Sequence, residues 1–328
     1  MLQSPLKRAA RPRSKWAPVV RGVASAALAA AFAVPLARKR LKIPPAVTTA
    51  ALVGGPLALA VLAPRTKTRD VGLYALQMWG FLNAKDMPHD DPEALRRRLR
   101  VTYPIRADLA IGRGELPNVR LQRALEGLGR GNPVDRVLSW VHWAWFFEPH
   151  SSLLWILAKH PERFPRSARQ MAGVFDLGCA VYAAVPTAPP WWAAENGYAD
   201  ERLRRIMQEV GEEQWGAAWD HFYDFLGSNP WAAMPSLHFA ASMMAAILLS
   251  EAGPVEGALG WAYAGTLGFA LVYLGEHYVI DLIAGAALVA AVRWGEHLAE
   301  PLADAVSGAL QRLEAIANDQ GGMRRLEA

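Results

Sequence analysis

Two histidine motifs contain the residues of this 328-residue chain that are best suited to chemistry. The first is "PSLH" at residues 235–238, and the second is "HYVID", which begins at His277 and ends at Asp281. On a helix, His277 and Asp281 lie on one face at spacing i, i+4, so the carboxylate can accept a hydrogen bond from one ring nitrogen. That bond fixes the tautomer and leaves the other nitrogen able to act as a nucleophile or a base.

The "PSLH" motif predicts a helix start that favours an anion. Pro235 suits the first helical turn, where a missing N–H has no cost. Free backbone N–H groups and the helix dipole favour a phosphate beside Ser236 and His238. Position 242, four residues after His238, is a serine and not a carboxylate, so we interpret His238 as a proton donor.

Together these residues predict phosphoryl transfer. His277 attacks phosphorus, Asp281 stabilises the imidazolium, and His238 protonates the departing oxygen. An acceptor hydroxyl then takes the phosphoryl group. This chemistry requires no metal and no cofactor, and we predict neither.

Long apolar runs must position these motifs. The composition is 52% hydrophobic, with charged residues concentrated between the runs and at both ends. Runs near twenty residues match the thickness of a bilayer. The sequence therefore predicts an all-α, polytopic membrane helix bundle with about six core transmembrane helices plus an N-terminal hydrophobic segment. The candidate spans are residues 17–36, 46–64, 136–158, 167–186, 235–252, 257–274 and 278–297.

The same runs divide the chain into four predicted parts. These are a basic N-terminus with hydrophobic helices at 1–64, a polar and interfacial region at 65–135, a catalytic membrane core at 136–297, and a soluble tail at 298–328. Within the second part, residues 71–82 are too short an apolar stretch to cross, and we expect them to lie along the interface. The tail has the pattern of a solvated amphipathic helix.

Counting spans places both histidines at one membrane surface. Between His238 and His277 the chain crosses twice, so it returns to the face from which it started. The short basic loops at 37–45 and 159–167 fall on the opposite face, which predicts that the histidines are extracytoplasmic. The basic N-terminus conflicts with this scheme if residues 17–36 truly cross. Either that run lies in the interface or hairpins back, or the orientation is reversed.

Charge and cysteine content indicate which binding partners and which kinds of site this chain can have. A net charge of +5 fits a protein beside anionic lipid headgroups. No basic stripe interleaved with aromatic residues lies outside the apolar runs, so nucleic acid is not an expected partner. The single cysteine, Cys179, excludes an intrachain disulfide and a cysteine metal site. His89, Asp90 and Asp91 could begin a metal site, but the loop supplies no further metal ligands at a recognisable spacing.

The two motifs also carry a resemblance to a known family. "PSLH", followed 39 residues later by the histidine of "HYVID", resembles the second and third signature motifs of the type 2 phosphatidic acid phosphatase superfamily of membrane lipid phosphatases. "AMPSLHFA", with "PTAPPWW" at 186–192, is most similar to its inositol phosphorylceramide synthase branch. The resemblance covers residues 108–297. It implies that His277 is the nucleophile, Asp281 its partner and His238 the acid.

The chain departs from the family pattern at the basic residues that bind phosphate in the phosphatases. Lys159 and Arg166 have the spacing of the first motif, but Ser167 replaces its proline and the segment is predicted on the opposite face. Leu271 stands where the phosphatases have an arginine before the second histidine. Both phosphate-clamping cations are therefore missing from their usual places, which favours the synthase-like branch. The arginines of "ERLRRIM", residues 201–207, could substitute, although a solvated charged face is the preferred interpretation.

Four further residues are predicted to bind substrate, namely Ser236, Pro190, Tyr278 and His142. Pro190 belongs to "PTAPPWW", which is either a proline-stiffened turn with two interfacial tryptophans or a wall of the headgroup pocket. His142, Glu148 and His150 are functional candidates because they lie at possible membrane depth. Alternatively, Pro149 breaks the helix near the surface and leaves Glu148 and His150 in water.

The sequence thus predicts an integral-membrane phosphatase or phosphotransferase that acts through a phosphohistidine on a lipid-linked phosphate. In the synthase-like branch the transferred group is a phosphoinositol-type headgroup, and with water as acceptor the same residues make a phosphatase. The alternative is a non-catalytic membrane transporter or lipid-binding protein that uses the histidine pair as a proton relay. The donor, the acceptor and the oligomeric state stay open.

Overall fold

The computed structural model describes residues 14–199, 203–219 and 231–318. In these ranges the chain forms fourteen α-helices, with single-residue β-bridges but no strand. The helices are α1 (Ala17–Leu41), α2 (Pro45–Leu62), α3 (Lys67–Asp86), α4 (Pro92–Arg98), α5 (Thr102–Ile111), α6 (Pro117–Leu125), α7 (Pro133–Ala144), α8 (Glu148–Lys159), α9 (Phe164–Ala184), α10 (Pro190–Glu195), α11 (Ile206–Trp215), α12 (Leu237–Ala252), α13 (Pro254–Tyr273) and α14 (Val279–Ala317). Short 3₁₀ turns lie at Met87–Asp90 and Glu126–Leu128.

The helices form two compact units. One unit comprises Met1–Gly80 and Leu298–Ala328. In it, α1 and α2 are long and apolar enough to cross a membrane, and Ala24, Ala58 and Val61 are buried between them and the C-terminal part of α14. Arg65 and Arg69 both pair with Glu314.

The second unit, Phe81–His297, contains both histidine motifs. Its helix α13 is a further candidate membrane span, and α12 is a shorter apolar helix. The two pack closely, because Gly260 lets the backbones approach: a Cβ there would lie 2.8 Å from the Cα of Ala246. With three candidate spans in the described part of the chain, the predicted all-α membrane bundle is confirmed.

One of the expected segments differs from the prediction. A continuous span over 136–158 is wrong, since α7 ends at Ala144 and α8 begins at Glu148, where Pro149 occupies the first turn. Each helix has 12 residues, about 18 Å, which is shorter than a hydrocarbon core of about 30 Å. The apolar stretch at 71–82 belongs to the 20-residue α3. Finally, α14 continues through the expected boundary at 297/298 as one helix of 39 residues.

Some expectations fall outside the described residues. These include the basic cluster before residue 14, Arg202 of "ERLRRIM", and the last ten residues of the tail. The division into four parts stays a prediction.

Candidate active site

The two motif histidines face each other across a short gap. Nδ1 of His238 lies 3.2 Å from Nε2 of His277, and Nδ1 of His277 lies 3.3 Å from Oδ2 of Asp281. Because a carboxylate only accepts, the proton of His277 is on Nδ1 and its Nε2 lone pair points to His238. Asp281 is 0% exposed and His277 is 4% exposed. The predicted two-crossing arrangement therefore brings all three proposed catalytic side chains together.

The start of α12 is held by one local cap and by contacts from α9 and α14. The Ser236 hydroxyl caps the helix by accepting from Phe239 N at 3.3 Å, and Ser236 N donates to the Asp281 carbonyl at 3.0 Å. From α9, the Tyr182 hydroxyl donates to the Pro235 carbonyl at 2.8 Å. Gly285 allows α14 to approach, since a Cβ there would lie 2.8 Å from the Ser236 carbonyl oxygen. Ser236 thus lies two residues before His238, with its side-chain oxygen already engaged as a cap.

The start of α14 is fixed by a carboxylate from far along the chain. Asp108 on α5 is 0% exposed and accepts from Val279 N at 2.8 Å and Ile280 N at 2.9 Å. Asp281 takes the preceding amide, Tyr278 N, at 2.9 Å. Burial raises the pKa of Asp108, and the two backbone hydrogen bonds oppose that rise. Three consecutive backbone donors therefore end on two buried acids.

Two amides of α6 hold the turn that precedes His277. Asn118 donates to the carbonyls of Val272 at 2.7 Å and His277 at 2.9 Å. One helical turn later, Gln122 donates to Tyr273 O at 2.8 Å and Arg204 O at 2.9 Å. Sequence reasoning missed Asp108, Asn118, Gln122 and Tyr182. The i, i+4 spacing of Asn118 and Gln122 in "PNVRLQ" was the available signal, since it marks two amides on one helix face.

The "PTAPPWW" segment contacts both motif regions. Thr187 forms bridges to Arg100 and to Ala232, shortly before "PSLH", and Trp191 N donates to the Gly275 carbonyl at 3.1 Å. Pro190 is buried at the first turn of α10. Tyr278 packs in an apolar cluster with Trp191 and is 0% exposed. The roles of Pro190 and Tyr278 in binding stay predictions.

His142 lies against the catalytic pair on the side of α7. Its ring centroid is 4.8 Å from that of His238, and the Trp145 ring is 4.2 Å from the same imidazole. Glu148 accepts from Ser152 at 3.2 Å and from Ser242 at 3.3 Å. His150 stacks on Phe175. The helix does break before Pro149, but Glu148 is bonded to two serines instead of being left in water.

The cations considered from the sequence have different surroundings. Arg166 pairs with Glu296 at 2.8 Å and with Glu251, which lies 13 residues after His238 on α12 and so about 20 Å away. Arg204 pairs with Glu209 at 2.5 Å and Asp135 at 3.4 Å. Arg166 therefore lies at the opposite end of the bundle from the histidines, and Arg204 is engaged by carboxylates instead of lying on a solvated face.

Arg205 interacts with residues that adjoin the second motif. Its guanidinium lies 3.7 Å from the Trp191 ring centroid. Burial raises the pKa of Glu276, the neighbour of His277, and the charge of Arg205 opposes that rise. Within the described ranges, no group of three or more His, Cys, Asp or Glu side chains could hold a metal ion.

Comparison with known proteins gives both a family and named relatives. The family model described as the PAP2 superfamily matches residues 120–294. Inositol phosphorylceramide synthase of Candida albicans is 29% identical over 121 residues, which are 34% of this chain and 25% of the relative. The catalytic subunit of inositol phosphorylceramide synthase from Schizosaccharomyces pombe is 30% identical over 146 residues, 42% of this chain and 33% of the relative. The chain thus spans a quarter to a third of these relatives, and no solved structure matches it.

Proposed function

The chain belongs to the PAP2 superfamily, and from that membership we propose that it is an integral-membrane enzyme that transfers the phosphoryl group of a lipid-linked phosphate through a phosphohistidine. One observation carries the proposal most directly. The Nε2 lone pair of His277 and the Nδ1 of His238 lie 3.2 Å apart, while Asp281 holds the other nitrogen of His277. A nucleophile, its orienting group and an acid are thereby assembled around one point.

The first step forms a covalent intermediate. Nε2 of His277 uses its lone pair to form a bond to phosphorus, and the bond from phosphorus to the leaving oxygen breaks. The electron pair goes to that oxygen, which takes the proton of His238 Nδ1–H. Asp281 stabilises the positive imidazole through the Nδ1–H bond. In the second step an acceptor oxygen attacks phosphorus, the N–P bond returns its electrons to His277, and the acceptor proton passes to His238.

The transferred group is proposed from the relatives. Both are named inositol phosphorylceramide synthases. In this chain Thr187 of "PTAPPWW" forms a bridge to Ala232, shortly before "PSLH". We therefore propose a phosphoinositol-type headgroup as the moved group, with an alcohol of the ceramide type or water as acceptor. Pro190, Tyr278 and His142 form the proposed substrate-binding set, and Ser236, predicted with them, is proposed to act as the cap of α12 beside the substrate. The basic loops at 37–45 and 159–167 support an extracytoplasmic site.

The test uses the purified full-length protein in lipid micelles. Donors are phosphatidylinositol and phosphatidic acid, each labelled at phosphorus, and acceptors are water and a short-chain ceramide. We expect release or transfer of the label, with the activity of His277→Ala lower by a factor on the order of 10³ or more. Activity should survive a chelator, because imidazoles supply both nucleophile and acid, and the rate should follow a bell-shaped pH profile.

The control replaces a histidine at the other end of the bundle, His160→Ala, whose ring contacts Trp155 and Glu162. It should retain wild-type activity. Full activity in His277→Ala would overturn the assigned roles. A wild-type protein that binds these lipids but moves no label would instead favour the transporter or lipid-binding alternative, with the histidine pair as a proton relay.

A further inference from the structure

The side of His238 that adjoins α7 contains buried polar atoms that the proposed steps do not use. His142 is 4% exposed, and neither of its ring nitrogens has a hydrogen-bond partner among the residues that the structure describes. The same holds in those ranges for the Ser139 hydroxyl, one turn earlier on α7, and for the Trp145 indole N–H. An unsatisfied buried polar atom destabilises a folded protein unless a ligand or water satisfies it. Several unsatisfied polar atoms close to the His238 imidazole therefore indicate that a ligand binds there.

The charges nearby indicate which ligand chemistry fits. Ser242 follows His238 by one turn on α12 and donates to Glu148, so a carboxyl group lies one turn deeper on this side. A phosphate there would meet a group of its own charge type, which disfavours it. A neutral imidazole offers one donor and one acceptor, and a hydroxyl offers the same pair. The surroundings of His142 therefore match an alcohol or water better than an anion.

We propose that His142, with Trp145 and Ser139, binds the hydroxyl group of the acceptor for the second half-reaction. This inference rests on the proposed function, since it needs a phosphorylated His277 to attack. The acceptor oxygen forms the new O–P bond, the N–P bond returns its electrons to His277, and the hydroxyl proton goes to His238. His142 orients the hydroxyl by hydrogen bonding and takes no part in the bond changes.

The two half-reactions should depend on His142 to different degrees. In the first, the leaving oxygen is already attached to phosphorus, so its position is set by the bound donor. In the second, a free acceptor must be held near phosphorus, and such positioning contributes strongly to rate. Removing the contact should therefore slow discharge of the phosphorylated enzyme more than its formation.

Rapid-quench measurements on the full-length protein test this difference. Labelled phosphatidylinositol or phosphatidic acid forms the intermediate, and its decay is followed in water alone and with added short-chain ceramide. We expect His142→Phe to slow the decay about tenfold or more relative to formation, so that labelled protein accumulates. His142→Gln, which keeps a donor and an acceptor, should recover part of the rate. Trp145→Phe should slow decay less, because it removes only one donor.

The matched control is His160→Phe, a histidine directly after α8 whose ring contacts Trp155 rather than the catalytic pair. It should leave both rates unchanged. Equal losses of formation and decay in His142→Phe, with no recovery in His142→Gln, would overturn the inference and leave the proposed function standing. An unchanged decay rate of the phosphorylated enzyme in all His142 variants would also overturn the inference and leave the proposed function standing. A wild-type protein that forms no phosphorylated intermediate would overturn both.

Discussion

The two helix starts that carry the imidazoles are held in different ways. At α12, which carries His238, the cap is Ser236, three residues before the amide that it binds. At α14, which follows His277, the cap is Asp108, 171 residues away in sequence, and the preceding turn is held by Asn118 of α6. The α12 start therefore has a side-chain cap from its own sequence neighbourhood, with further contacts from α9 and α14, whereas the α14 start is capped by Asp108 from the polar region at 65–135.

This difference agrees with the demands on each group. A proton donor must lie within hydrogen-bond reach of the oxygen that it protonates. A nucleophile must present one lone pair to phosphorus, so its tautomer and ring orientation have to be fixed. The region at 65–135, expected from its composition to be polar and interfacial, supplies the fixing groups. The predictions that follow test this contrast between a local and a long-range frame.

The largest effect is expected from Asp281→Asn. One oxygen, Oδ2, receives both the His277 and the Tyr278 hydrogen bonds, so an asparagine oxygen can keep both. The substitution then removes charge with little change in shape. We expect kcat to fall by a factor on the order of 10³–10⁴, as for comparable histidine partners, with a small change in thermal stability. The measurement pairs single-turnover kinetics with thermal unfolding in micelles.

The control for Asp281→Asn is Asp304→Asn, an exposed aspartate on the same helix. It should match the wild type in both measurements. A fall in kcat of less than about tenfold in Asp281→Asn would contradict the role of the carboxylate as partner of the nucleophile.

Asp108→Asn should have the next largest effect. Its two oxygens each accept one backbone amide, so asparagine can satisfy only one of them. Leaving a buried N–H without a partner should lower the free energy of unfolding by about 1–3 kcal/mol. We also expect kcat to fall about tenfold, because the turn before Asp281 loosens, with KM nearly unchanged. A stability loss with unchanged kcat would show that Asp108 supports the fold only.

The difference between local and long-range contacts also explains which parts of the fold and of the site could be predicted from the sequence. The histidine motifs, their common end of the bundle and the membrane-helix class followed from spacing and span counting, because these are local or periodic signals. His142 was singled out through membrane depth. Asp108 and Asn118 were missed, since a side chain that caps a helix 171 residues away leaves no periodic trace. The break at 145–147 was only an alternative in the sequence analysis, marked by Pro149, because the apolar run continues through it.

A smaller effect is expected from Asn118→Asp. The side chain keeps its shape but loses the two donated bonds to the carbonyls of Val272 and His277. Carbonyl oxygens facing a carboxylate should repel it, so we expect a few-fold to about tenfold loss of kcat and a lower melting temperature. Gln122→Glu is the matched comparison, one turn away, because its bonds end on Tyr273 and Arg204 and not on His277. It should lower stability similarly but kcat less.

The smallest effect is expected from Ser236→Ala. Loss of a helix cap costs about 1 kcal/mol, and the start of α12 keeps the Tyr182 bond to the Pro235 carbonyl and the bond from Ser236 N to Asp281 O. Since those contacts persist, we expect kcat to fall only a few-fold, with recovery in Ser236→Asn, another good cap. If Ser236 instead contacts the phosphate, Ser236→Ala should raise the KM for the lipid donor well beyond the stability loss, and asparagine should not restore it. Measuring KM and melting temperature for both variants therefore shows which role Ser236 has. The comparison of the two helix starts requires a local cap, and the alternative is a substrate contact.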